Sequence, residues 1–73
     1  MVLSLAKPGF SAVAHIEGEE SLYMRLASMG ITEGALLNVI MNERSRPLIV
    51  ESGGSTYAIA REIAGAIELE EAL

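Results

Sequence analysis

The chain contains no cysteine, no tryptophan and no aspartate, and only one lysine, Lys7. Without cysteine there is no thiolate nucleophile, no zinc finger, no iron–sulfur cluster and no disulfide. That usage fits a reducing compartment. Without aspartate there is no Ser-His-Asp triad and no Asp-rich calcium loop. No GxxxxGK[ST] pattern occurs, and Gly53-Gly54-Ser55 reads as a hairpin turn rather than a phosphate cradle. No apolar run approaches the roughly 20 residues that span a bilayer. The stretch MVLSLAKPG lacks the charged start and long apolar region of a signal peptide. Together these absences argue against an enzyme and against direct membrane insertion.

What is present is apolar and acidic. Ten glutamates face five basic residues, for a net charge of −5. Sequence-independent nucleic-acid binding draws on lysine and arginine contacts to phosphates, so nucleic acid is not an expected partner. Anionic lipid surfaces are disfavoured for the same reason. With 51% apolar residues and a mean hydropathy of +0.39, the 73 residues form one expected domain, 1–73. A core that small is marginal, so the apolar excess is either core or a partner surface.

The most informative stretch is Leu22 to Gly34, LYMRLASMGITEG. Leu22, Leu26 and Met29 fall at i, i+4 and i+7, one face of a short helix. Gly30 follows where a helix end needs the left-handed conformation, and Ile31 is placed for the apolar contact of that cap. Thr32-Glu33-Gly34 then turns the chain. Glu19 and Glu20 stand at the positive end of the helix dipole, and Ser21 is the N-cap candidate. Two to three turns of helix do not persist alone, so the stripe must pack on a sheet.

Strands surround this helix. After the Lys7-Pro8-Gly9 turn, Phe10, Ala12, Ala14 and Ile16 alternate with Ser11, Val13, His15 and Glu17. Ala35 to Met41 is a second strand, with Leu37, Val39 and Met41 alternating with Leu36, Asn38 and Ile40. Periodicity places Met29 and Met41 in the core. Pro47 opens a third strand, Gly53-Gly54 turns it into a fourth, and Ile67 to Glu70 closes the set. Five short strands with one helix between the first and second predict a small, strongly bent barrel, in which closure removes the sheet edges.

The order of these signals resembles the FeoA family, the small cytoplasmic proteins that accompany the bacterial ferrous-iron transporter FeoB. The matching features are Leu5 with Lys7-Pro8-Gly9, Ala12, Ala14 and Ile16 ending at Gly18, and Arg25-Leu26 before Met29-Gly30-Ile31 and Gly34. Pro47-Leu48, Ile59 before Arg61, and Ala64 with Ile67-Glu68-Leu69 complete the pattern. The resemblance implies an SH3-like β-barrel, a module also found at the C-terminus of iron-dependent repressors of the diphtheria-toxin-repressor type. It implies a cytoplasmic, non-enzymatic role at the inner face of the membrane, with no cofactor and with a FeoB-type transporter as partner, through the transporter's GTPase-containing part or a cytoplasmic end of its membrane domain. One departure is a less basic helix, whose only cation is Arg25.

Few residues invite chemistry. His15 and Glu17 share a strand face and are the weak candidates for a metal, against the plainer reading of a solvated strand histidine. Glu17, Glu19 and Glu20 read as a solvated turn and helix start, and Glu68, Glu70 and Glu71 as a solvated end. For partner contact the candidates are Met24 and Arg25 on the helix and Leu36 and Ile40 on the second strand. A thioether adapts to a partner surface, and the guanidinium offers a fork to a carboxylate. Ile49 shares the outward phase with Leu36 and Ile40, and together they would make a patch. Two alternatives stand beside transporter docking: a metal-responsive module acting on a transcriptional repressor, and a weakly self-associating homodimer.

Overall fold

The alternation from Phe10 onward becomes strand β1, Ser11–Ile16, in a computed structural model whose described residues are 1–16 and 20–71. Helix α1, Glu20–Ser28, follows. Then come β2 (Leu36–Met41), β3 (Leu48–Ser52), β4 (Ser55–Ile59), a single turn of helix α2 (Arg61–Ala64) and β5 (Ile67–Glu71). A 3₁₀ turn, Leu3–Leu5, precedes β1.

Helix α1 ends as its glycine predicts. Gly30 takes φ +91°. Its N–H donates to the Ala27 carbonyl at 2.9 Å, and the Ile31 N–H reaches back to Leu26 at 2.9 Å. This is a Schellman cap, and its apolar contact joins the two buried residues Leu26 and Ile31. The start differs from expectation. Ser21 lies inside α1 rather than at its N-cap, because the helix already includes Glu20.

The strands form one antiparallel sheet in the order β4-β3-β2-β1-β5. This corrects the expected SH3-like closed barrel: the sheet is open. Closure would require β4 to pair with β5. Instead α2 occupies the connection between them, and β5 spends its inner edge on five register pairs with β1, from Ala12↔Glu71 to Ile16↔Ile67. Only the β5 edge is covered by other means. On the β5 side, Val2 bridges Glu68 and the Leu69 N–H donates to the Met1 carbonyl. Between β3 and β4, Gly53 and Gly54 both take positive φ, 60° and 87°. Such a two-residue turn matches the twist of the strands it joins.

The core lies on one face of the sheet. Ala12, Ala14, Leu37, Val39, Leu48, Val50, Ile59, Ile67 and Leu69 meet Leu26 of α1, Ile31, Leu3, Ala6 and Ala64. Arg61 ties the far end together. Its guanidinium donates to the carbonyls of Glu43 (2.8 Å), Arg46 (2.9 Å) and Ser4 (3.3 Å) and to Asn42 Oδ1 (2.8 Å). Asn42 Nδ2 in turn donates to the carbonyls of Ser4 and Ala6. One planar fork thus satisfies the β2–β3 loop and the N-terminal turn together.

Candidate functional site

His15 is not the freely solvated side chain that the sequence suggests. It projects from β1 between two carboxylates, with Nδ1 at 2.5 Å from Glu33 Oε2 and Nε2 at 2.6 Å from Glu70 Oε2. Glu33 also accepts the Ile16 N–H at 2.7 Å through its other oxygen. The turn after α1, strand β1 and edge strand β5 are therefore joined through one imidazole. The hydrogen bond to Glu33, and next the one to Glu70, raise the His15 pKa above its ordinary 6.5. The same bond to His15, and then the Ile16 N–H, lower Glu33 below 4.5.

The two carboxylates sit on opposite ring nitrogens, so they do not converge on one point. Among the described residues no group of three or more His, Cys, Asp or Glu is arranged to hold a metal. Glu17, the other metal candidate, lies outside the described residues.

The linkage has a sign. Stability from protonated His15 is fully present below pH 6.5 and is lost as pH rises through its raised value. Stability from ionised Glu33 is present above pH 4.5 and is lost as pH falls through its lowered value. The clamp contributes most between these limits. Urea midpoints of the wild type should therefore fall as pH climbs above 6.5, and His15→Gln should flatten that fall. Parallel profiles for the two proteins would show the clamp to be without energetic weight.

The partner-contact candidates are all on the surface but not in one place. Met24 is 61% exposed and Arg25 makes no ion pair with a described residue. Leu36 and Ile40 are 48% and 46% exposed. They stand near opposite ends of β2, separated by a polar row that crosses three strands. In that row Ser11 Oγ donates to Asn38 Oδ1, and Asn38 Nδ2 donates to Glu51 Oε1 at 2.6 Å. Glu51 also accepts the Gly54 N–H, and these bonds lower its pKa, the Gly54 bond most.

The core assignments of Met29 and Met41 are overturned, since they are 37% and 43% exposed. Met41 is displaced by a β-bulge. Val39 pairs with Val50 and Met41 with Ile49, so Ile40 is an extra residue and the alternation slips by one. Ile40 and Met41 consequently both face outward. Met29 lies just past α1, beyond the helix's one buried position, Leu26. Beside the bulge lies a groove of about 490 Å³ lined by Met41, Glu43, Arg46, Pro47, Ile49 and Ala58. Sequence reasoning missed this groove because a bulge leaves no local signature there. It missed Glu33 and Glu70 because they reach His15 from 18 and 55 residues away.

A family model described as the FeoA domain matches residues 1–71. The chain belongs to the FeoA family. It is 38% identical over 71 residues to the putative Fe(2+) transport protein A of Methanocaldococcus jannaschii, covering 96% of this chain and 85% of that relative. A crystal structure of an iron uptake regulatory protein, FeoA, superposes with a TM-score of 0.88 at 31% identity, covering 94% of this chain and 93% of that one. A manganese-dependent transcriptional repressor shares the fold at a TM-score of 0.88 and 19% identity; the match covers 99% of this chain and 41% of the repressor. At that identity the likeness is one of fold alone. Membership of the FeoA family supports a non-catalytic, accessory role in ferrous-iron uptake. Among the described residues no helix is long and apolar enough to cross a membrane.

Proposed function

We propose that this chain works in the cytoplasm as an accessory protein of ferrous-iron uptake, docking on a FeoB-type membrane transporter. The observation that carries this reading is the FeoA match over residues 1–71. The surface agrees with a contact role, since Met24, Leu36 and Ile40 expose large apolar side chains on a small domain. Met24 and Arg25 of α1 and Leu36 and Ile40 of β2 are the proposed contacts. The polar row through Asn38 makes Leu36 and Ile40 two separate touch points rather than one patch. Regulation would follow if docking favours one conformational or nucleotide state of the transporter over another.

Charge introduced at these positions tests the contacts. Met24→Asp and Leu36→Asp should each weaken transporter binding by about tenfold or more, which corresponds to about 1.4 kcal/mol. Their unfolding midpoints should stay close to wild type, because both side chains are exposed. Unchanged affinity in both variants would remove these residues from the interface.

A further inference from the structure

The two edges of the sheet differ in a way that points to a ligand. Edge strand β5 carries Glu68, Glu70 and Glu71 and is bridged by Val2. Charges and covering segments are how sheets keep an edge from accepting another strand. Edge strand β4 has neither. Its sequence, Ser55-Thr56-Tyr57-Ala58-Ile59, holds no charge and no proline, and its pairing with β3 runs without a bulge.

The register fixes which backbone groups are free. Ser52 and Ser55 close the two-residue hairpin, so Ser55, Tyr57 and Ile59 turn their N–H and C=O groups toward β3. Those of Thr56 and Ala58 point to the open edge, where no backbone partner among the described residues reaches them. Both residues are exposed.

Ala58 also lines the apolar groove with Met41, Ile49 and Pro47. An added strand would therefore meet free hydrogen-bonding groups and an apolar slot side by side. The charge around the slot is mixed but net positive, with Glu43 and Arg46 in its lining and Arg44 on the same loop. Arg44 and Arg46 are exposed at this end of the sheet, while β5, at the far edge, is acidic. Arg44 has no ion pair with a described residue, and Arg46 Nε lies 3.8 Å from Glu43.

We infer that β4 accepts an extended peptide segment of a protein partner as a sixth, antiparallel strand. One aliphatic side chain of the segment fills the groove beside Ala58 and Ile49, and a carboxylate on its N-terminal side faces Arg44 and Arg46. Antiparallel pairing brings the N-terminal end of the segment to the Ile59 end of β4, next to that loop. Main-chain bonds supply affinity and the alternating side chains supply selectivity. A second copy of this chain fits less well. Its own β4 offers only Thr56 and Ala58 on the outer face, too small for the groove, and no carboxylate.

The probe is the synthetic peptide acetyl-Glu-Thr-Leu-Thr-Val-Thr-amide, titrated into the isotopically labelled full chain. At about ten times the dissociation constant, the amides of Thr56 and Ala58 should exchange about tenfold more slowly. Lysine in place of the peptide glutamate, or alanine in place of its leucine, should weaken binding. Ala58→Pro removes the outward donor without touching a β3 bond, and it should abolish the protection at Thr56. Ala58→Lys, a change that edge strands tolerate, should do the same and guards against misfolding of the proline variant. Three results would overturn the assignment: no protection at β4, shifts confined to α1 or Leu36, or protection that depends on protein concentration without peptide. The segment would come from the partner proposed above. Because the probe is synthetic, a failed peptide titration leaves transporter docking intact, and failed transporter docking leaves the peptide result intact.

Discussion

Leu26→Ala should destabilise the chain by about 2–5 kcal/mol, the range for emptying a fully buried leucine site. Leu26 is 1% exposed and is the deepest residue of α1. Its carbonyl accepts the Met29 and Ile31 N–H groups at the helix end, and its side chain meets the core beside Ile31. A helix of nine residues has little stability of its own, and Leu26 is its one buried residue. At typical values per residue, a domain this size has about 4–11 kcal/mol in total. One methyl-rich side chain therefore carries a large share of it. Urea denaturation monitored by circular dichroism reads the loss directly. A change below about 1 kcal/mol would mean that α1 is not docked through Leu26.

Gly30→Ala should cost about 2–3 kcal/mol, and the reason can be separated into parts. At φ +91° an L-residue carries about 1–2 kcal/mol of backbone strain. A Cβ there would also stand 2.9 Å from the Tyr57 hydroxyl oxygen. Gly9 supplies the control, since its φ is +92° but a Cβ would meet nothing within 4 Å. Gly9→Ala should therefore show the strain alone. The excess at Gly30 measures the close approach of β4 to the helix end, and Tyr57→Phe in the Gly30→Ala background should recover part of that excess. Equal losses at the two glycines would mean that Tyr57 simply swings aside.

These two residues were also the most legible in the sequence. The spacing of Leu22 and Leu26, with a glycine directly after the last turn, leaves few alternatives to a capped helix, and the structure forms that cap. Gly53-Gly54 was equally plain, because few residues other than glycine accept two consecutive positive φ angles. What could not be read depends on events far apart in the chain. Sheet closure depends on whether β4 and β5 meet, and no local pattern reports that. The extra residue at Ile40 reverses the faces of Met41 with no change in composition. Ile40 and Met41 are consecutive apolar residues that periodicity must assign to opposite faces, whereas the bulge turns both outward. His15 was read from β1 alone, as an isolated histidine next to Glu17. Its actual partners are Glu33, which the sequence places only in a turn, and Glu70, which reads as part of a solvated end. The family resemblance was legible because it rests on order and spacing, which survive these misplacements.

Direct contact with a FeoB-type transporter is tested best by a chemical-shift titration. The labelled chain would be titrated with the intact cognate transporter in detergent, and with its soluble GTPase-containing part, each with and without guanine nucleotide. The predicted result is a set of shifts or line broadening at Met24, Arg25, Leu36 and Ile40, with an affinity that changes between nucleotide states. Spectra unchanged by the intact transporter in every nucleotide state would contradict docking itself.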